Sequence, residues 1–152
     1  MTELLDNGAD VDLSFGKLQT SPLQWAIWCQ HLHVVRLLLQ RGASQDHLNL
    51  LGWNTAFLCW PSLAFRQGDS LDYLRLLSED NHQELEVVDT EGWSVLHRVA
   101  AYGKAAEVVE LIRLGAKPEQ EALPLRWNAI HHAVFYGNVD TYRALLKYST
   151  RR

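Results

Sequence analysis

Ser21-Pro22-Leu23-Gln24-Trp25-Ala26 recurs along the chain in altered spelling, and the recurrence settles the architecture before any single helix is assigned. Its counterparts are Asn54-Thr55-Ala56-Phe57-Leu58-Cys59, Ser94-Val95-Leu96-His97-Arg98-Val99 and Asn128-Ala129-Ile130-His131-His132-Ala133. The first residues of these stretches are separated by 33, 40 and 34 positions. A second apolar element comes after each. It is plainest in Val34-Val35-Arg36-Leu37-Leu38-Leu39-Gln40-Arg41-Gly42-Ala43 and Val108-Val109-Glu110-Leu111-Ile112-Arg113-Leu114-Gly115-Ala116. Shorter matches are Leu71-Asp72-Tyr73-Leu74-Arg75-Leu76-Leu77 and Tyr142-Arg143-Ala144-Leu145-Leu146.

Each unit opens on Ser21, Asn54, Ser94 or Asn128, whose side-chain oxygen can accept from a free backbone N–H, which predicts four helix N-caps. Nine residues on, three units carry Gln30, Gly103 or Gly137, where a short helix must stop and the chain reverse. Glycine permits that reversal by visiting positive φ. Apolar residues of the second element recur at helical spacing until Gly42 or Gly115 ends it. Two such helices enclose too little interior to fold alone, so neighbouring units must stack around a continuous core.

The pattern resembles the ankyrin repeat. Ser21-Pro22-Leu23-Gln24-Trp25-Ala26 is close to that family's Thr-Pro-Leu-His-x-Ala, and Leu96-His97 and Ile130-His131 keep the Leu-His pair. Leu4-Leu5-Asp6-Asn7-Gly8-Ala9-Asp10-Val11-Asp12 reproduces the family's second-helix ending, and Asp89-Thr90-Glu91-Gly92 the start of its hairpin. The resemblance implies an all-α solenoid of stacked helix-turn-helix units with hairpin-like loops, a single domain over residues 1–152. Residues 1–15 are then a partial repeat, and 16–48, 49–88, 89–122 and 123–152 are repeats.

Two departures stand out. The chain opens inside what would be a second helix, which leaves Leu4 and Leu5 without a preceding element to cover them. A solenoid end normally carries a polar capping unit, so the chain reads as a piece of a longer array, the alternative being an N-terminal end that frays or is covered by a partner. The second departure is an insertion near 60–67, where Leu63 replaces the turn glycine, Gly68 comes later, and Pro61 is expected to break the helix. An insertion in a surface turn is either a recognition feature or tolerated drift.

Composition removes several classes of function. At 152 residues, 47% apolar and 21% charged, the chain has the make-up of a folded domain. Fourteen basic residues against eighteen acidic ones give a net charge of −4 without a basic stripe, so no nucleic-acid partner is expected. Two cysteines make no disulfide framework. The first residues carry no secretory signal, and Arg36 interrupts the longest apolar run, so no membrane insertion is expected and the reading is intracellular, cytoplasmic or nuclear.

Seven histidines invite a search for catalysis or metal. His31 with His33, and His131 with His132, are adjacent or alternate on a helix and cannot present two ligands on one face. No metal, glycine-rich phosphate or nucleophile-elbow motif occurs, so neither cofactor nor catalytic residue is assigned. The resemblance gives His97 and His131 a structural role, bonding backbone groups and neighbouring repeats. Cys29 reads as a small buried or half-buried hydrophobe. Glu84, Glu86, Glu119 and Glu121 read as solvated loop charges, and Glu107, Glu110, Arg113, Arg36 and Arg41 as a solvated helix face.

The aromatic residues are what remains. Six Trp are many for such a chain, and Trp53, Trp93 and Trp127 each stand one residue before an N-cap. Trp28, Tyr102 and Tyr136 lie at the ends of first helices, with Phe135 beside Tyr136. The resemblance places all seven on or near the family's concave face, where rigid aromatics make good anchors for a protein partner. For Trp53, Trp93 and Trp127 a structural reading competes, each ring wedged between consecutive hairpins; a fully buried Trp93 would then cost about 3–5 kcal/mol on replacement by Ala. Trp25 reads as packed. The implied function is a non-catalytic protein-interaction module, monomeric or part of a longer chain. The alternatives are a regulatory or scaffolding segment of a multidomain protein and a histidine-dependent metal-binding enzyme fragment.

Overall fold

Ser21, Asn54, Ser94 and Asn128 each stand in extended backbone immediately before a helix in the computed structural model, which describes residues 2–60, 70–80 and 85–149. Three of them close their helix through the side chain. Ser21 Oγ accepts from the Gln24 N–H at 3.3 Å, Asn54 Oδ1 from Ala56 at 3.1 Å and Asn128 Oδ1 from His131 at 3.2 Å. At Ser94 the hydroxyl instead lies 2.8 Å from His97 Nδ1.

Among the described residues the order is α1 (Thr2–Asp6), α2 (Pro22–Trp28), α3 (Leu32–Gln40), α4 (Thr55–Leu58), α5 (Ser70–Asp80), α6 (Val95–Tyr102), α7 (Ala105–Arg113), α8 (Ala129–Phe135) and α9 (Val139–Ser149). The helices form two layers. In the inner layer α2 packs on α4 and α6 on α8; in the outer layer α5 packs on α7 and α7 on α9. Each inner helix also packs on the next outer helix in the chain. Hairpin-like loops precede the inner helices, pinned by isolated antiparallel bridges at Phe15–Thr20, Val88–Ser94 and Ala122–Trp127. The fold is all-α, and among the described residues no helix is long and apolar enough to cross a membrane.

One apolar core runs through the stack. Leu23, Ile27, Leu38, Leu74, Leu77, Leu96, Leu111 and Leu145 are fully buried, and Ala56, Ala100, Ala129 and Ala133 let the inner helices approach closely. Polar side chains then tie unit to unit. Gln24 Oε1 accepts from the Ser21 N–H, while its amide donates to the carbonyls of His47 at 2.9 Å and Trp53 at 3.0 Å in the next loop. His97 does the same with a ring: Nδ1 accepts from the Ser94 N–H at 3.0 Å, so Nε2 carries the proton donated to the Gln120 carbonyl at 2.9 Å. Thr141 on α9 donates to the Ala100 carbonyl of α6 at 2.7 Å. Among the described residues His131 hydrogen-bonds its own cap residue Asn128 and stacks on Trp127, with its ring exposed.

Several expectations need correction. Gly103 is not a left-handed turn residue, because its φ is −90°. A Cβ there would instead lie 2.5 Å from Val99 Cγ1 and 2.8 Å from the Val99 carbonyl oxygen, so glycine is required for space. Gln30 and Gly137 do take positive φ, +59° and +70°. Glu107 and Glu110 are buried rather than solvated. Glu107 accepts from the Lys104 N–H at 2.8 Å, and hydrogen bonds from Arg113, against the opposing effect of burial, hold the Glu110 carboxyl below the usual carboxylate range. Glu86, Glu119 and Glu121 are exposed, as expected of solvated charges, though Glu86 also pairs with Lys117 and Glu121 with Arg126. Glu84 lies outside the described residues, and Cys29 is exposed rather than buried. Leu4 is exposed as anticipated, whereas Leu5 packs against the core. Trp60 is described, but Pro61, Leu63 and Gly68, on which the expected helix break and displaced turn rest, lie outside the described residues.

Candidate aromatic groove

The corner before α6 is organised by Asp89, which is buried. Its Oδ1 accepts the N–H groups of Glu91 at 2.9 Å and Trp93 at 3.1 Å, the side-chain turn that an aspartate makes with its own downstream backbone. Asn49 closes the corner before α4 in the same way, accepting from Leu51 at 2.9 Å and Trp53 at 3.1 Å. The two tryptophans therefore take equivalent places because the residue four before each is Asn or Asp. Gly92, at φ +79°, completes the second corner, and a side chain there would meet the Leu123 carbonyl of the next loop at 2.9 Å.

Asp89 Oδ2 also holds Arg98, which lies on the exposed side of α6, through Nε at 2.9 Å and through Nη2. The guanidinium reaches Glu91 at 2.7 Å and lies 4.7 Å from the centre of the Trp93 ring. Burial pulls the guanidinium pKa down, and the bonds and charge of Asp89 and Glu91 more than reverse that, so it is raised overall. Trp53 Nε1 donates to the same carboxylate oxygen at 3.4 Å.

Five of the seven aromatics named from sequence join in one cluster. Tyr136 stands 4.8 Å from Tyr102, 5.1 Å from Phe135 and 5.9 Å from Trp93, centre to centre, and Phe135 stands 5.0 Å from Trp127. Trp93 also packs edge-on against the buried His132 ring at 4.4 Å. What burial the Tyr102 phenol has, together with the neighbouring Tyr136 hydroxyl, pushes it up to about 12, which leaves it neutral across the physiological range. Trp53, Trp93 and Trp127 are half-buried, while Tyr102, Tyr136, Phe135 and Trp28 are exposed.

Trp53 and Trp28 are separate from that cluster and line cavities. Between α2 and α4 lies an apolar pocket of about 190 Å³ whose walls include Trp25, Trp28, Trp53 and Leu58. Between α4 and α6 lies a second, of about 250 Å³, whose walls include Trp53, Phe57, Trp60, Val99 and Tyr102. Trp53 is common to both, and its ring is stacked on Phe57, 6.1 Å apart and 3° from parallel. Between α6 and α8 the Trp93 ring instead packs edge-on against His132 and Tyr136.

Trp25 is the clearest departure from the sequence reading. It is 40% exposed, rests against Phe15 at 6.4 Å and lines the first pocket. The counterparts of this position are Leu58, Arg98 and His132; Leu58 and His132 are buried against neighbouring units, whereas Trp25 leaves much of its ring open toward the first pocket. Trp60, Phe57 and Arg98 are further members that sequence reasoning missed. The Trp60 indole N–H is buried and makes no hydrogen bond among the described residues. Only for Arg98 was a signal present: a permanently charged residue one turn into a largely apolar helix, nine residues after Asp89. Among the described residues no group of three His, Cys, Asp or Glu side chains is placed to hold a metal ion.

Comparison with known proteins reaches the same architecture independently. The family profile for ankyrin repeats in three copies matches residues 62–151, and that for a single ankyrin repeat matches residues 19–50. The "Palmitoyltransferase AKR1" of Lachancea kluyveri is 24% identical over 131 residues, which cover 84% of this chain and 17% of that protein. With paired helices in two layers, Gln24 and His97 bridging from one unit to the next, and profile matches over most of its length, the chain belongs to the ankyrin repeat family.

Proposed function

We propose that the chain is a non-catalytic interaction module that holds a segment of another protein along the aromatic groove, with apolar side chains of that segment entering the two pockets on either side of Trp53. The ankyrin family supplies the general role, since stacked repeats keep a binding surface pre-organised. The observation that carries the specific reading is the wall shared by two adjacent apolar pockets, built from rigid rings that lose little freedom on binding. Beyond them Tyr102, Tyr136 and Phe135 extend the same exposed aromatic surface toward Trp127. We place its action inside the cell, in cytoplasm or nucleus, and read 16–48, 49–88, 89–122 and 123–152 as the stacked repeats.

Affinity capture from the native cell with three forms of the chain tests this reading. Trp28→Ala and the Tyr102→Ala/Tyr136→Ala pair should each lose a protein that the wild type retains, with helical signal and melting nearly unchanged. Equal capture by all three forms would remove the groove from the mechanism, and collapse of the melting transition would assign these rings to the core.

A second reading has its own support. The relative from Lachancea kluyveri carries its similar stretch within a chain of which it is only 17%, so this chain can equally serve as the regulatory or scaffolding part of a larger protein whose activity lies elsewhere. Finding the same partner bound equally well by the full-length protein and by the present chain would favour the simple module. Stoichiometric zinc or iron in the purified protein would displace both readings in favour of a histidine metal site.

A further inference from the structure

The outer layer carries a groove of a different character, between α7 and α9, with a volume of about 590 Å³. Its floor is apolar, with Ala106, Val109 and Ala144. Its walls carry three cations, Lys104 at the start of α7 and Arg143 and Lys147 on α9, against one carboxylate, Asp140. Arg143 and Lys147 are four residues apart on one helix and share a face.

The three cations differ from most of the other Lys and Arg side chains among the described residues. Arg41, Arg75, Arg98, Arg113, Lys117 and Arg126 each form an ion pair with an acidic side chain. Among the described residues Lys104, Arg143 and Lys147 form none, and all three are exposed. In a chain with a net charge of −4, unpaired positive charge gathers in a groove whose floor exposes Val109. Like charges held together repel one another, and a ligand of opposite sign relieves that repulsion.

We propose that the α7–α9 groove is a second docking site, for an acidic segment of a partner protein that presents carboxylates about one helical turn apart with an apolar side chain between them. The spacing of Arg143 and Lys147 sets the carboxylate spacing, and the floor at Val109 takes the apolar side chain. A flat bilayer would touch the exposed cations without entering between the helices to reach Val109. The groove meets the aromatic pocket only at Gly103, and none of its three cations lines that pocket, so one copy of the chain has room for a second protein.

A labelled synthetic peptide with glutamates at i and i+4 and leucines between them is the probe, titrated against the whole chain by fluorescence anisotropy. Binding should weaken severalfold as salt rises from about 50 to about 300 mM. Arg143→Glu/Lys147→Glu should lose at least about tenfold in affinity at an unchanged melting temperature. Lys104→Glu, on a different element, should lower affinity in the same direction, and a peptide with lysines in place of the glutamates should bind the Arg143→Glu/Lys147→Glu form better than the wild type. The Tyr102→Ala/Tyr136→Ala form should bind the acidic peptide as the wild type does, whatever becomes of its other partner. The proposal is overturned by absence of peptide binding, by indifference to the charge reversals, or by vesicles containing phosphatidylserine or single-stranded DNA binding this groove more tightly than the peptide.

Discussion

His97 shows how a single ring can set both the assembly and its response to acid. Only the neutral form with the proton on Nε2 satisfies both of its backbone partners, since Nδ1 must accept from the Ser94 N–H while Nε2 donates to Gln120. Burial is the main cause that brings its pKa from 6.5 down to about 4, with the Gln120 bond opposing and the nearby His132 assisting; His132 is itself lowered by burial. The folded protein thus resists a proton that the unfolded chain accepts. Stability from this residue is complete above about pH 6.5, falls as the pH drops toward 4, and is then lost by at most about 3 kcal/mol. Gln24, at the equivalent place in α2, makes the same two kinds of bond with no titrating group. His97→Gln should therefore keep the bridge and lose much less stability than the wild type between pH 7 and pH 5 in denaturant unfolding; parallel pH dependence in the two proteins would refute the assignment.

At the scale of elements, the inner helices are short, and the residues that end them govern how each unit turns back on itself. The turn from α6 to α7 holds Gly103 against Val99, so Gly103→Ala forces backbone and side chain apart and should cost about 1–3 kcal/mol. Gly137 occupies the corresponding turn after α8 with open space around it and φ +70°, so Gly137→Ala should cost only about 1 kcal/mol, the strain of an ordinary residue in that conformation. Denaturant unfolding of the two variants checks the order, and a costlier change at Gly137 would show that conformation rather than space governs both turns. The caps and stops were legible in sequence because they depend on local hydrogen bonding. The reason for Gly103 was not, since it depends on where α7 returns and on the rotamer of Val99.

For the whole molecule, the units hold together through contacts that no unit makes alone. Trp93 belongs to the corner before α6, yet its ring packs on His132 of α8 and on Tyr136 at that helix's C-terminal cap, and beneath the Arg98 guanidinium. Because the ring is only half-buried, Trp93→Ala should cost about 2 kcal/mol, below the ~3–5 of a fully buried ring. The loss should appear as weakened coupling between the last two inner helices, measured as faster amide exchange in α8 than in α2. Uniform acceleration throughout the stack would mean that the chain unfolds as one unit and that Trp93 merely adds to its total stability.

The sequence by itself determined the repeat, the four caps and the stacking of helices, because a helix start is written in one residue and an apolar stripe in its spacing. It also singled out Trp53, Trp93 and Trp127 as equivalent, a consequence of Asn49 and Asp89 closing like corners in at least two of the three units. Only the tertiary structure separated them: Trp53 walls two open pockets, whereas Trp93 and Trp127 are engaged with rings from α8. The same holds for Trp25, which is 40% exposed while its counterpart Leu58 is buried, and for Lys104, Arg143 and Lys147, which α7 and α9 bring to one groove. Whether a side chain is core or contact depends on what stands beside it in space, and neighbours from other helices are not encoded at its own position in the chain.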